Sequence, residues 1–559
     1  MTRRAPSVRL RAVLVLTALA MLAGGVWPAP GTAATTVLTA EDEAYALNLE
    51  QAIVTNMAHG QVFNVRHVNR NAFPGDTEIV PRLDNFADSA LWTGTYLAAE
   101  SFRYATAKRK LELGFNHHFW TGQRNEAKAR IDQMVAKYHL LINISRNWQH
   151  EFEPSTDPPG FGGGIIRGEA GYLMRACAPT DAPWWQTWDV PRGPRVFGPL
   201  GWEDGKTYYC EDATSRDAYA GTTFGLLTAF DLVSGDDPAM RKQIKEDITM
   251  MTTYTLAWGW TTPRPHGNIS LVDDLPPEIQ ELLPFDIFGH DFENFISPLF
   301  VYVPLARLNM AMAAFHVNKL AGSEAEKHFW RGVWTEELLT QGPILALSMQ
   351  IDALQPNDAY YKFNLHHLTG YNVSRLTPDP VSRLLVNQAL SVMDHTTGDD
   401  NNAHFETITY ALTGEASRLQ QALQHLQEWK EYRANMVAGI DPLNSARCGV
   451  DIECVPEDRL DWELAGRPVE PSCMPPTCVT VYPGTSGDDR AALPLEVPDR
   501  TAEDFLWQRP PWKLDGHEAT NYQAPGIDYL LPYWMLRYYT EIAPPPVSPF
   551  LPWPGPSHR

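Results

Sequence analysis

Recurrent helix-start signals constrain this chain more than any other feature. "TAEDEAYALNLEQAIV" opens with Thr39 as an N-cap and Asp42 in the first turn, where a carboxylate meets the positive end of the helix dipole. "GDDPAMRKQIKEDITMM" puts Asp237 at the cap and Pro238 at the first helical position, where its missing N–H costs nothing. "TPDPVSRLLVNQAL" repeats the device with Asp379 and Pro380, and "SEAEKHFWRGVWTEELL" carries a Ser323–Glu326 capping box. Caps and apolar periodicity together predict about ten to twelve helices. Their starts fall near residues 40, 88, 123, 215, 238, 297, 323, 358, 380, 401, 415 and 525. Short turns join several into pairs, such as 215–233 with 238–257 and 380–395 with 401–412. Long alternating strand-like runs are scarce, so the expected class is mainly α.

Two of these starts echo each other. "DNFADSALWTG" (84–94) and "EDATSRDAYAG" (211–221) are both polar, both end on Gly, and both lead into apolar runs. A glycine one turn into a helix lets another backbone or a ligand come close. Repetition of such a unit among helical hairpins predicts a toroid of stacked hairpins with long loops, the polar helix mouths lining a cleft.

The rest of the chain divides around that core. Residues 1–34 have a basic start, an apolar middle and a small-residue end, the pattern of a secretory signal peptide. The toroid is expected over 35–435 and 504–541, interrupted by a Cys/Pro-rich insertion at 436–503 and followed by a Pro-rich tail at 542–559. No later segment reads as a membrane span, so the expected location is secreted or periplasmic. The formal net charge of −22 argues against nucleic acid as a partner. Six cysteines in an exported chain predict up to three disulfides: Cys177 with Cys210, and two bridges among Cys448, Cys454, Cys473 and Cys478. No metal or cofactor is expected; zinc spacing, nucleotide fingerprints and GxSxG are all missing. Oligomeric state is not readable.

The stretches "DSALWTGTYLAAESFRYA", "SRDAYAGTTFGLLTAFDLVSGDD" and "PGIDYLLPYWMLRYY" resemble the six-hairpin glycosidase-like superfamily over roughly residues 40–540. Its (α/α)6 toroids include glycoside hydrolases, polysaccharide lyases and some epimerases. The resemblance implies a carbohydrate substrate in a funnel where helix starts and loops meet. It transfers no catalytic residue.

Four constellations carry chemistry. Asp88, Trp92 and Tyr96 share one side of a helix, a carboxylate beside aromatic faces suited to a sugar ring; the alternative is a cap above core aromatics. Asp212, Arg216, Asp217 and Tyr219 offer a general acid or base beside a cation, or a structural ion pair. Asp88 and Asp217, from two helix mouths, are the preferred catalytic pair. His290 in "FDIFGHDFENF" is a proton-shuttle candidate. "YYKFNLHHLTGYN" supplies Tyr361 as a catalytic candidate and Asn364 as a substrate-binding one. Trp185 and Trp188, in the long loop 149–211, are expected to wall the cleft.

These readings converge on a secreted glycoside hydrolase with paired carboxylates. The rivals are a polysaccharide lyase acting on uronate glycans through Tyr361, His290 or Arg216; a lyase or isomerase of an apolar small molecule resembling linalool dehydratase-isomerase, with Cys177 and Cys210 as thiols; and a non-catalytic glycan-binding protein.

Overall fold

A computed structural model describes residues 38–69, 79–84, 86–152, 164–181, 196–211, 214–257, 260, 298–353, 360–378, 380–438, 454–456, 489–491, 494–500, 506–507, 510–511 and 522–545. Residues 1–34 therefore lie outside the description, as do most of 436–503 and all of the tail beyond 545.

Twelve helices appear among the described residues: α1 (Ala40–Ala52), α2 (Ser89–Glu112), α3 (His117–Asn143), α4 (Arg216–Leu232), α5 (Pro238–Ala257), α6 (Pro298–Ala321), α7 (Glu324–Ala353), α8 (Tyr361–Leu376), α9 (Pro380–Thr397), α10 (Ala403–Thr413), α11 (Ala416–Ala438) and α12 (Ile527–Glu541). The protein is mainly α, as expected. The caps explain why the starts were readable. The Thr39 and Asp42 side chains each accept the other's backbone N–H, at 3.2 and 2.8 Å. Asp237 accepts from the Met240 N–H at 3.0 Å, and Ser323 and Glu326 form their box. Only α3 departs by more than three residues, starting at His117 on an Asn116 cap rather than near 123.

Burial alternates along the helix order. The even-numbered helices carry unbroken buried runs: Ser89–Tyr104 in α2, Ala218–Phe230 in α4, Leu308–Phe315 in α6, Lys362–Ser374 in α8, all of α10, and Ile527–Arg537 in α12. The odd-numbered α3 and α5 bury one stripe each, such as Ala127, Ile131, Met134 and Tyr138, as a surface helix does. Among the even helices, α2 packs on α4 and α12, α4 on α6 and α8, α6 on α8, α8 on α10, and α10 on α12.

The echoing glycines meet at the tightest of these contacts. A Cβ on Gly94 would sit 2.0 Å from the Gly221 carbonyl oxygen, and one on Gly225 would sit 2.4 Å from that of Gly94. The close approach is thus backbone on backbone, α2 against α4, and any side chain there would force the helices apart.

Short strands, which periodicity did not reveal, sit in the long connections. Asn64–Asn69 pairs with Ile79–Asp84 and with Tyr522–Gln523; Thr207–Glu211 pairs with Ala176–Pro179 and Val196–Gly201. Cys177 and Cys210 face each other in this second sheet and form a disulfide. Cys454 lies on a strand paired with Asp489–Ala491; Cys448, Cys473 and Cys478 fall outside the described residues. No helix among the described residues is long and apolar enough to cross a membrane.

Candidate functional site

The starts of α2 and α4 put two carboxylates together. Asp88 occupies the N-cap position of α2 but makes no side-chain cap bond, so the simple capping alternative does not hold there. At α4 the cap is Ser215, whose hydroxyl accepts from the Ala218 N–H at 3.3 Å, which leaves Asp217 unneeded for that task. Burial, and then the negative charge of Asp88, push the Asp217 carboxyl up to about 6, against the opposing pull of Arg175 and Arg216. Arg175 is held by the sheet: its N–H donates to the Glu211 carbonyl at 2.9 Å, two residues before the disulfide at Cys177. The same sheet delivers the chain from Glu211 toward the start of α4, so the disulfide positions both Arg175 and Asp217.

A small cleft, partly open to solvent, lies next along α4, lined by Arg216 but by neither carboxylate. Arg216, Tyr219 and Ala220 of α4 form one wall, Leu305, Ala306, Asn309 and Met310 of α6 another, and Leu365, His366 and Thr369 of α8 the third. His366 is buried, its Nδ1 lies 3.1 Å from the Met393 sulfur, and burial followed by nearby cations including Arg216 pulls its pKa down to about 3. The imidazole is therefore neutral, with one N–H donor and one acceptor nitrogen. Burial likewise keeps the Tyr219 phenol protonated, while the Asn309 amide is engaged with Thr223 at 2.7 Å and Asn372 at 3.2 Å.

The other helix starts converge on an aromatic array. Trp92 is fully buried and stacks on Trp507 with centroids 6.0 Å apart; Trp507 meets His404 edge-on at 4.1 Å. Phe405, next in α10, stacks on His367 of α8 at 4.1 Å. The N–H of Leu506 reaches Asp528 at the start of α12, whose carboxyl burial raises to about 6. Asp400, just before α10, is pushed up to about 7 by burial while it accepts from the Tyr360 hydroxyl at 2.8 Å. "TGDDNNAHF" (397–405) is thus a mostly buried helix approach. Among the described residues, no three His, Cys, Asp or Glu side chains are arranged to hold a metal ion.

The expected site residues separate accordingly. Asp88, Asp217 and Arg216 come together, and Tyr219 and Arg216 line the cleft. Trp92 belongs to the packed array. Tyr96 is fully buried, its hydroxyl donating to Glu50 at 2.7 Å inside a charged network. Tyr361 opens α8 at 39% exposed, and Asn364, one turn on, is buried with no hydrogen-bond partner for its amide among the described residues. Asp212, Trp185, Trp188 and His290 fall outside the described residues. Sequence reasoning missed Arg175, which reaches the carboxylate pair from a remote segment, and Trp507, which packs on Trp92 in the aromatic array. Asn143 and Asn372, each opening an Asn-x-Ser sequence, are buried inside helices.

Compared with protein-family models, with characterised proteins and with solved structures, the chain matches none.

Proposed function

We propose that the protein is an exported carbohydrate-active enzyme, an (α/α)6 toroid that hydrolyses a glycosidic bond with the Asp88–Asp217 pair. The toroid reading is supported by the order of even-helix contacts, α2–α4–α6–α8–α10–α12 and back to α2, with one-sided helices between them. The observation that carries the function is the unequal pair of carboxyls at neighbouring helix starts, one raised to about 6 by burial and by its neighbour's charge. In the proposed step, Asp217 gives its proton to the glycosidic oxygen as the C1–O bond breaks. Asp88 takes a proton from the water that attacks C1, so the products are an alcohol and a free reducing sugar.

Arg216 on the cleft wall supports elimination as a second reading, with the guanidinium neutralising a uronate carboxylate. The thiol-dependent isomerase loses its support, because Cys177 and Cys210 are bridged.

The test is a panel of oligosaccharides and polysaccharides, read for reducing ends and for absorbance near 235 nm, roughly where unsaturated uronates absorb, with Asp217→Asn alongside. Reducing ends without absorbance, lost in the variant, are expected. Absorbance that survives Asp217→Asn moves the assignment to elimination. Silence from the folded protein across the panel removes the enzyme reading.

A further inference from the structure

Resting on the Asp88–Asp217 reading above, we propose that Arg175 is the positioning residue of that pair: its buried guanidinium receives the negative charge left on Asp217 when that carboxyl gives up its proton. The segment that carries Arg175 lies along the start of α4. The Arg175 N–H donates to the Glu211 carbonyl at 2.9 Å, the Thr214 N–H reaches the Tyr172 hydroxyl at 3.4 Å, and the Leu173 backbone bonds the Tyr219 hydroxyl. Asp217 falls between Thr214 and Tyr219, so these contacts bracket it with the segment that ends on Arg175.

The Arg175 side chain has no competing engagement. It is 8% exposed, its Nε is buried without a hydrogen-bond partner, and no salt bridge engages it among the described residues. Burying a cation without a bonded acceptor is unfavourable. Here that cation lies beside a carboxyl that alternates between two states: neutral Asp217 leaves it unpaired, and ionised Asp217 balances it. Of the two arginines that oppose the rise of the Asp217 carboxyl, Arg175 acts more strongly. Its strand is also fixed in advance. The Cys177 N–H donates to Gln61 at 3.0 Å, Lys137 donates to the Cys177 carbonyl at 2.7 Å, and the disulfide to Cys210 ties the strand to its neighbour. A charge held where new charge will form needs no rearrangement when the proton leaves. In the proposed step the proton moves from Asp217 to the glycosidic oxygen as the C1–O bond breaks, and Arg175 balances the carboxylate that remains.

The experiment is a carbon-13 NMR titration of the aspartate carboxyls, with the Asp217 resonance identified by its loss in Asp217→Asn. Wild type should titrate at about 6. In Arg175→Met that midpoint should climb by about one pH unit or more while far-ultraviolet circular dichroism stays unchanged. Arg175→Lys keeps the charge and should hold the climb to less than about half of that. A second reading needs no substitution at position 175: the Arg175 Nε–H resonance of wild type should move with the Asp217 midpoint and stay still in Asp217→Asn. An unchanged midpoint in folded Arg175→Met overturns the assignment, as does an Nε–H resonance that fails to move in wild type. So does a climb in Arg175→Lys as large as in Arg175→Met, because charge would then not be what acts. No substrate enters these readings, so the two failures are separable. The expected titration with silence on the glycan panel keeps Arg175 in its role and removes only the hydrolase; a flat titration with released reducing ends does the reverse.

Discussion

The molecule holds two carboxylate pairs that look alike on paper. Glu50 of α1 and Glu100 of α2 are both fully buried; Asp88 and Asp217 stand at helix starts and remain partly open. In each pair burial, and then the partner's charge, raises one carboxyl: Glu100 in the first, Asp217 in the second. What differs is the company they keep. Glu50 accepts from Tyr96 at 2.7 Å and from the Trp534 indole at 2.9 Å, and bonds the Arg130 guanidinium, while Arg103 reaches Glu100 at 3.2 Å and Glu126 at 2.8 Å. Both oxygens of Glu50 and both of Glu100 have partners among the described residues. The mouth pair has two nearby arginines and keeps partial exposure to solvent. A raised carboxyl is thus no sign of catalysis by itself; access for a substrate separates the two cases.

The sealed pair should therefore matter to folding and the open pair to turnover. The sharpest break is Glu50→Ala, which leaves Arg130 and Arg103 facing one another with too little negative charge and strands Tyr96 and Trp534. A loss of roughly 3–5 kcal/mol is expected, read by urea denaturation. The network ties α1 to α2, α3 and α12, so the loss should appear as one cooperative shift. If Glu50→Ala instead folds normally and abolishes activity, the sealed pair is catalytic and the comparison fails.

Next in size is Asp217→Asn, expected to lower kcat about 10²–10⁴-fold on any substrate found, with the fold intact. The same variant sharpens the comparison through stability. Folding raises the Asp217 carboxyl from its ordinary value to about 6, so the folded state holds its proton more tightly than the unfolded chain. The stability this contributes is complete below the ordinary carboxylate pKa and is lost as pH climbs through 6. Asn carries no such cost, so the variant should exceed wild type in stability above pH 6, by up to about 3 kcal/mol, and equal it near pH 4. Melting curves across that range check the sign. A variant less stable at pH 8 would mean that Asp217 is an ordinary structural ion pair with Arg175 and Arg216.

How much of this could be read beforehand follows from range. Helix starts are local: Thr39, Asp237 and Ser323 announce their helices through residues three positions away. The Gly94–Gly221 echo was readable as a site of close approach, and the Asp88–Asp217 pair could be guessed because each lies at a polar helix mouth. Arg175 and Trp507 could not. Each reaches the site from a segment whose position depends on pairing across the chain, through the Cys177–Cys210 sheet or the stack on Trp92. Tyr96 misled for a related reason. Helical spacing placed it on the side of Asp88 and Trp92, but eight residues of α2 carry it well past the mouth and into the Glu50 network, where its hydroxyl finds an acceptor from another helix.

The smallest expected effect bears on who owns the proton in the sealed pair. If Glu100 is protonated at neutral pH, its carboxyl donates to Glu50 and accepts from Arg103 at 3.2 Å, and Gln can do both with its amide N–H and carbonyl oxygen. Glu100→Gln should then cost no more than about 1 kcal/mol, far below Glu50→Ala, because no buried charge is removed and no partner is stranded. It should also flatten the stability profile on the alkaline side, since wild type alone must give up the Glu100 proton as pH rises through the raised value. A loss equal to that of Glu50→Ala would show both glutamates ionised, each balanced by its own arginine. The two pairs would then differ in charge state as well as in access, and the raised carboxyl would be a property of the mouth alone.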